Sequence, residues 1–309
     1  MNVVSRRQVE VAAPRMPPAK WIDIGGVATC YFDAGSGDPV VFVYGGNFGG
    51  MDSASSAPVW NLNFGPLSAG FRVIAFDKLG QGYTDNPLRD EDYTMAAVVD
   101  HAAAFLRALN LPPVHLVGHS RGGFACTSLT LRNPELVRSL TIVNSGTLAP
   151  TFNMNEAVLT PCPYPAYSRE GARWVYEGYS YAKHKVTEEW IDTVVAVLSL
   201  EKSRASARKM VDEKLKARVF LPQLALNKRE TLNLIKEGML RRPVQVFWGY
   251  NDPTSRVEGG LEVFKLIAQH NRRTFLHVIN EAGHFVYREQ PEQFNASLAN
   301  FVRMAAQAA

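Results

Sequence analysis

Hydrophobic and polar positions along this chain fall into two repeating patterns. Continuous apolar runs, as at 39–44 and 114–117, are typical of strands buried on both faces of a sheet. Between those two runs, apolar residues at 94–109 recur three and four positions apart, which predicts an amphipathic helix. Further strands are predicted at 21–24, 28–32, 71–76, 140–144, 244–248 and 274–279, and further helices at 122–132, 258–269 and 291–303. This alternation predicts an α/β fold with a mostly parallel sheet and helices on both faces.

The alternation stops between residues 145 and 242, where prolines lead into helical patterns with no strand between them. These patterns cover 169–183, 187–200, 202–220 and 228–237. We therefore expect a helical cap at 147–240, inserted into a core formed by 21–146 and 241–309. Residues 1–20 contain three prolines that interrupt any helix, so we expect them to form an N-terminal arm.

Composition and charge limit the classes of protein to which this chain could belong. The 309 residues, 46% of them hydrophobic, are enough for one large domain with an insertion. The net charge of +4 is not concentrated in a basic cluster, which argues against a nucleic-acid partner. The three cysteines are too widely spaced for a metal site or a disulfide framework, and no apolar run approaches the roughly 18 residues of a membrane span. We expect a cytoplasmic protein that acts on a small molecule with no metal, cofactor or membrane partner, and self-association into a homo-oligomer is left open.

The sequence Gly-His-Ser-Arg-Gly at 118–122 stands between a predicted strand and a predicted helix. Glycines two positions before and after a serine let neighbouring segments approach closely enough for a sharp turn. Such a turn lifts the hydroxyl of Ser120 to the carboxyl edge of the sheet, beside a helix N-terminus that favours negative charge. The pattern predicts Ser120 as a nucleophile, with an ordinary strand-to-helix loop as the alternative.

A serine nucleophile needs a base to remove its proton and a third group to orient that base. Asp252 and His284 each follow a predicted strand, and parallel strands share one carboxyl edge. The order Ser120, Asp252, His284 therefore predicts a Ser-His-Asp site at that edge. Asp77 and Asp85 are rival carboxylates, but they precede the serine and belong to a loop that we expect to shape the pocket.

Glycines also cluster at 45–50, directly after the predicted strand at 39–44. The cluster lacks the Gly-x-Gly-x-x-Gly order and the Lys-Ser/Thr pair of phosphate-binding loops. We interpret it as an oxyanion loop, in which the backbone N–H of Gly46 or Asn47 points toward the carbonyl that reacts with the serine.

The chain resembles the α/β-hydrolase superfamily in four motifs, from about residue 25 onward. They are the Gly-Gly loop, Gly-His-Ser-Arg-Gly-Gly at 118–123, Trp-Gly-Tyr-Asn-Asp at 248–252 and Ala-Gly-His-Phe at 282–285. The resemblance implies an α/β-hydrolase fold in which Ser120 is the nucleophile, His284 the general base and acid, and Asp252 the carboxylate that orients the histidine. It also implies an oxyanion hole formed by the backbone N–H of Arg121 together with one from the glycine loop.

Within the superfamily, the chain resembles the meta-cleavage product hydrolases, which split carbon–carbon bonds in ring-fission products of aromatic compounds. The likeness rests on the Gly-Gly loop, on 60–64, 70–73 and 144–150, and on the size of the cap. The chain departs from those enzymes at His119, Arg121 and Phe285, where they typically carry Asn, an apolar residue and Trp. Val194 stands where they carry a cap arginine that holds the dienoate carboxylate. The candidate substrate contacts are therefore Arg121, Phe285, Val194, Arg204, Arg208 and Trp60.

The family resemblance implies a cofactor-independent serine hydrolase that acts on a small, partly aromatic or carboxylated substrate. Hydrolysis of a carbon–carbon bond in a meta-ring-fission product, as part of the catabolism of aromatic compounds, is one expectation. A carboxylesterase or lactonase with the same triad is the alternative. A member of the fold that only binds a ligand in the capped pocket is the hypothesis from another class.

Overall fold

The computed structural model describes residues 10–49, 54–151, 154–159 and 161–307. Within them, eight strands form one sheet in the order β1-β2-β4-β3-β5-β6-β7-β8. They are β1 (Lys20–Ile24), β2 (Val27–Ala34), β3 (Pro39–Val43), β4 (Arg72–Phe76), β5 (Val114–His119), β6 (Val137–Val143), β7 (Val244–Gly249) and β8 (Thr274–Ile279). β1 and β2 form the predicted hairpin, and β2 also pairs with β4 in antiparallel orientation. The pairs from β4 to β8 are all parallel, which confirms the predicted sheet.

The middle of the sheet explains the continuous apolar runs of the sequence. β3, β5 and β7 are buried at every residue. Successive residues of a strand point to opposite faces, so Leu116 packs in a cluster on one face and Val117 in a second cluster on the other. Because helices cover both faces, neither face of these strands carries polar side chains facing water.

Six of the described helices lie outside the region between β6 and β7. They are α1 (Asn61–Ser68), α2 (Met95–Ala108), α3 (Arg121–Arg132), α9 (Val257–Ala268), α10 (Val286–Glu289) and α11 (Pro291–Gln307). α2 begins after Thr94, whose hydroxyl accepts a hydrogen bond from the N–H of Ala97, and its bounds agree with the prediction to within a residue. α1 and α10 were not predicted, because α1 contains Gly65 and Pro66 and α10 is a single turn.

Five described helices lie between β6 and β7. They are α4 (Asn155–Leu159), α5 (Arg169–Tyr179), α6 (Glu188–Leu198), α7 (Glu201–Val211) and α8 (Leu221–Lys236). The single helix predicted at 202–220 was wrong: α7 ends at Val211, Lys214 has a φ of +60°, and a short π-helix follows at Lys216–Phe220. α8 begins seven residues before its predicted start, because Pro222 lies in its first turn, where no N–H is needed.

The observed insertion of helices into the strand order agrees with a cap over a core, whereas the boundaries at 147 and 240 stay a prediction. Residues 10–19 lie on the core: Ala12 N–H donates to the hydroxyl of Tyr83 at 2.9 Å, and Asn61 Nδ2 donates to the carbonyl oxygen of Pro14 at 3.2 Å. No helix in the described part of the chain has both the length and the apolar character needed to cross a membrane.

Candidate active site

Ser120 occupies a sharp turn between β5 and α3. Its φ of +52° and ψ of −123° are unusual for a residue with a side chain. A Cβ on Gly122 would lie 2.4 Å from the carbonyl oxygens of Val43 and Tyr44, and one on Gly118 would lie 2.5 Å from the carbonyl oxygen of Gly122. Only glycine at these two positions lets α3 start this close to β3 and β5. Ser120 thus stands at the carboxyl edge of the sheet and at the N-terminus of α3.

The structure brings His284 and Asp252 together at the same edge. Asp252 follows β7, His284 follows β8, and Nδ1 of the histidine lies 2.7 Å from Oδ2 of the aspartate. Both residues are buried. Because a carboxylate oxygen accepts, Nδ1 carries the proton and Nε2 of the neutral ring presents its lone pair. This tautomer is the one that a general base for Ser120 requires.

Three further residues donate hydrogen bonds to the Asp252 carboxylate. Asn144 Nδ2 donates to Oδ2 at 2.7 Å, while the hydroxyl and N–H of Thr254 and the N–H of Ser255 donate to Oδ1 at 2.8 to 2.9 Å. Hydrogen bonds of this kind hold a buried carboxylate in one orientation. The sequence analysis missed Asn144 and Thr254, because a lone Asn or Thr after a strand is an ordinary turn residue. The weak signal was the place of Asn144 directly after β6 and of Thr254 in the loop that follows β7.

His119 lies directly against His284 and is fully buried. Burial lowers the pKa of His119 well below its usual value, and the neighbouring His284 lowers it further. Its Nε2 lies 2.9 Å from the carbonyl oxygen of His284, so Nε2 carries the proton and donates it to that bond. His119 therefore supports the backbone that carries His284.

The loop that carries His284 is also bonded to the end of α5. The N–H of His284 donates to the carbonyl oxygen of Tyr179 at 2.9 Å. The Glu289 carboxylate accepts from the N–H of Gly283 on one side and from the N–H of Ala182 on the other, at 3.0 and 2.9 Å. Backbone groups of the inserted helical region thus hold the histidine loop in place.

The glycine loop after β3 lies against the serine. A Cβ on Gly45 would be 2.8 Å from the Cβ of Ser120, so only glycine permits this approach. Gly46 has a φ of +76°, and Asn47 is buried. Gly50, the last residue of the cluster, lies outside the described residues. Arg121 N–H stands in the first turn of α3, beside the serine.

A small cavity of about 20 Å³ lies where these segments meet. Its described lining residues are Gly45, Gly46, Ser55, His119, Ser120, Tyr176, Tyr179, His284 and Phe285. The Phe285 and Tyr176 rings are stacked at 5.4 Å, and the Tyr176 hydroxyl is hydrogen-bonded to Ser55 Oγ at 2.9 Å. Ligand pockets typically have roughly 300–1,000 Å³. The space beside the serine, as bordered by the described residues, is therefore smaller than a typical ligand pocket, and aromatic rings form part of its wall.

Of the six candidate substrate contacts, Phe285 lines the cavity. Trp60 was wrongly included: it is fully buried in the core, stacked on Tyr287 at 3.9 Å and on Phe42 at 4.6 Å. Its place in a stretch of family likeness reflects core packing.

The remaining four candidates lie elsewhere. Val194 is buried in the apolar cluster under α6, and Arg204 and Arg208 are exposed on α7, with Arg208 paired to Glu201 at 2.7 Å. The Arg121 guanidinium lies 5.8 Å from the centre of the Phe220 ring. None of the four is among the described lining residues of the cavity. Exposed arginines on a helix are typical of a solvated surface, so the substrate-binding role of Arg204 and Arg208 stays a prediction.

A parallel sheet with a serine at a strand-to-helix elbow, and with an aspartate and a histidine after later strands, defines the α/β-hydrolase class. A family model described as the alpha/beta hydrolase fold matches residues 38–291. The chain therefore belongs to the α/β-hydrolase fold family.

Relatives of this chain include meta-cleavage product hydrolases. The 2-hydroxy-6-oxo-6-(2'-aminophenyl)hexa-2,4-dienoic acid hydrolase of Metapseudomonas resinovorans is 28% identical over 93% of this chain and 91% of that protein. The 2-hydroxymuconate semialdehyde hydrolase of Pseudomonas sp. strain CF600 is 27% identical over 96% of this chain and 99% of that protein. The solved structure of a meta-cleavage product hydrolase from Pseudomonas fluorescens IP01 has 25% identity and a TM-score of 0.75, and the match covers 94% of this chain and 99% of that chain.

Proposed function

We propose that this protein is a cofactor-independent serine hydrolase with Ser120 as nucleophile, His284 as general base and acid, and Asp252 as the orienting carboxylate. The observation that carries the proposal is the 2.7 Å hydrogen bond between His284 Nδ1 and Asp252, beside a serine at φ +52°. Both Ser120 and His284 line the same cavity. A nucleophile, a base and a group that orients the base, brought together at one cleft, are the arrangement that activates a serine.

The proposed chemistry begins when His284 Nε2 removes the proton of Ser120 and the serine oxygen attacks a substrate carbonyl. The negative charge that develops on the carbonyl oxygen is stabilised by the N–H of Arg121 and by an N–H of the glycine loop. Collapse of the tetrahedral intermediate expels the leaving group, which takes the proton from His284. Water then attacks the acyl-enzyme with His284 again acting as the base.

For the substrate, we propose a ring-fission product in which a carbon–carbon bond is hydrolysed. Support comes from relatives that carry such names and match over nine-tenths of both chains. The aromatic wall formed by Tyr176, Tyr179 and Phe285 suits a planar, conjugated substrate. In this reaction His284 would also help the dienol become a ketone, which makes the departing carbon fragment a stabilised carbanion equivalent.

One observation favours a second candidate, a carboxylesterase or lactonase. A dienoate carries a carboxylate, which calls for a cationic partner in a buried site. None of the described lining residues is an arginine or a lysine, and Val194 is a buried apolar residue. A neutral ester or lactone needs no such partner.

The deciding experiment compares rates on a yellow ring-fission dienoate and on short aryl esters, for the wild type and for Ser120→Ala. We expect dienoate turnover that disappears in Ser120→Ala, because that variant lacks the nucleophile. The control is Ser68→Ala, which alters an exposed serine at the end of α1. Rapid ester hydrolysis with no dienoate turnover would support the second candidate function, a carboxylesterase or lactonase. If an active-site phosphonate failed to label Ser120, the hydrolase proposal itself would fall.

A further inference from the structure

Lys78 is a fully buried lysine in the loop that follows β4. Its Nζ donates hydrogen bonds to the carbonyl oxygens of Gly45 at 2.8 Å and Gly46 at 3.1 Å, and lies 4.9 Å from the centre of the Tyr44 ring. Burying an ammonium group is unfavourable unless its charge is well compensated. The two carbonyl groups that Lys78 binds belong to the glycine loop beside Ser120, which points to a role there.

The geometry of the peptide bond connects Lys78 to the proposed oxyanion hole. A trans peptide unit is planar, and its C=O and N–H groups point in opposite directions. The carbonyl of Gly45 shares a peptide unit with the N–H of Gly46, and the carbonyl of Gly46 shares one with the N–H of Asn47. By binding both carbonyl oxygens, Lys78 directs both N–H groups away from itself. These are the two N–H groups that the sequence analysis proposes as oxyanion donors.

The loop needs such an anchor because of its composition. Two successive glycines, one of them at a φ of +76°, have more conformational freedom than any other pair of residues. They also have no side chain with which to fix the peptide planes. A cation on the carbonyl oxygens polarises the peptide units as well, which makes their N–H groups stronger donors in a low-dielectric site.

We propose that Lys78 is a positioning residue for the oxyanion hole, acting through the peptide units Gly45–Gly46 and Gly46–Asn47. The inference rests on the proposed serine hydrolase function. Lys78 does not contact the substrate. It holds two backbone donors in the direction that the tetrahedral intermediate requires and brings a positive charge close to the developing oxyanion.

The test uses Lys78→Met, which keeps an unbranched side chain only one atom shorter and removes the charge, and Lys78→Gln, which keeps one donor group. The readouts are kcat and KM on the best substrate, the rate of phosphonate labelling at Ser120, and the affinity for an arylboronic acid that forms a tetrahedral adduct. We expect Lys78→Met to lower kcat, labelling rate and boronate affinity by about 10- to 100-fold, which is less than the roughly 100- to 1,000-fold cost of removing an oxyanion donor, because the donors are displaced but still present. KM should stay within about threefold, since ground-state binding does not use the hole.

Lys202→Met is the matched control. Lys202 is a partly buried lysine with its Nζ on a backbone carbonyl, that of Gly82 at 2.9 Å, and this carbonyl lies outside the glycine loop. We expect labelling of Lys202→Met to stay within about threefold of the wild type, and Lys78→Gln to fall between the wild type and Lys78→Met.

The outcomes separate this proposal from the proposed function. Labelling of the wild type at Ser120 with equal labelling of folded Lys78→Met would overturn the role of Lys78 and leave the hydrolase proposal standing. An equal loss in Lys202→Met, or a loss in kcat matched by the same loss in ground-state binding, would assign Lys78 a purely structural role. If neither Lys78 variant folded, as checked by thermal unfolding, Lys78 would likewise be assigned a purely structural role. A wild type that is not labelled would overturn both proposals.

Discussion

At the scale of single residues, His119 is a buried imidazole with a structural role beside His284, the proposed general base. Desolvation lowers the pKa of His119, so the ring is neutral at physiological pH and cannot carry a charge next to His284. Its one N–H is committed to the carbonyl oxygen of His284. The two adjacent rings therefore do not compete for the same proton.

His119→Phe tests this role of the ring. The substitution keeps an aromatic ring and leaves the buried His284 carbonyl without its donor, which costs roughly 1–3 kcal/mol. We expect a lower free energy of unfolding and a lower kcat, measured by denaturant titration and steady-state kinetics. His119→Gln can place an amide N–H near the same carbonyl. We expect it to have a higher free energy of unfolding and a higher kcat than His119→Phe. Unchanged values in His119→Phe would show that the hydrogen bond contributes nothing.

The sequence could predict the residues of the candidate triad because each has a positional signal. Ser120, Asp252 and His284 all follow strands, and the structure brings the aspartate and histidine into contact at 2.7 Å. Asn144 has no motif of its own, and only the folded register of β6 beside β7 shows that it reaches Asp252. Trp60 shows the opposite error, since an aromatic residue near a motif looks the same whether it packs or binds.

At the scale of elements, the turn from β5 into α3 depends on the absence of side chains. In Gly122→Ala the new Cβ would meet the backbone oxygens of Val43 and Tyr44, which cannot move aside as a flexible side chain could. We expect a loss of roughly 1–3 kcal/mol in stability and a decrease in kcat of about tenfold or more, because α3 and Ser120 must shift relative to the glycine loop. Thermal unfolding and kinetics measure the two effects.

Gly65→Ala is the matched control for this substitution. Gly65 lies in α1, where an added Cβ meets nothing within 4 Å. Alanine there should leave activity unchanged, whereas stability should fall modestly, because Pro66 disfavours the helical conformation for a preceding residue that carries a Cβ. If both glycine variants lost activity equally, close packing at the elbow would not be the cause.

The sheet and its flanking helices were predictable because their periodicity reflects burial directly. The inserted helices were harder, because their boundaries depend on local backbone geometry. The break after α7 turns on a single residue, Lys214, in the left-handed conformation, and lysine gives no sequence signal for it. Pro222, near the start of α8, gives no clear signal either, since proline both breaks helices and starts them.

At the scale of the whole molecule, Lys202 joins the inserted region to the core. It stands in α7, and its Nζ donates to the carbonyl oxygen of Gly82, while its own carbonyl accepts from Asn86. Burial lowers the pKa of Lys202 to about 8, from an ordinary value near 10.5. The folded protein therefore binds this proton less tightly than the unfolded chain does.

This shift predicts a pH dependence of stability. Between about pH 8 and 10.5 the unfolded chain holds the proton of Lys202 and the folded protein does not, so Lys202 favours the folded state more as the pH rises. We expect the stability of the wild type relative to Lys202→Met to increase from pH 7.5 to pH 10, as measured by denaturant unfolding. Subtracting the stability of Lys202→Met from that of the wild type cancels the contributions of the titratable groups that both proteins share. A difference that stays constant with pH would contradict the lowered pKa.

The hydrogen bonds between the histidine loop and the end of α5 also limit how this protein could be re-engineered. The N–H of His284 is bonded to the carbonyl of Tyr179, and Glu289 bridges Gly283 and Ala182. A chimera that exchanged the inserted helices with those of a relative would have to preserve the backbone path at 179–182, or the loop that carries His284 would lose these hydrogen bonds. The inserted helices therefore cannot be exchanged as an independent unit. Point substitutions that leave these hydrogen bonds intact are the safer way to alter the lining of the cavity.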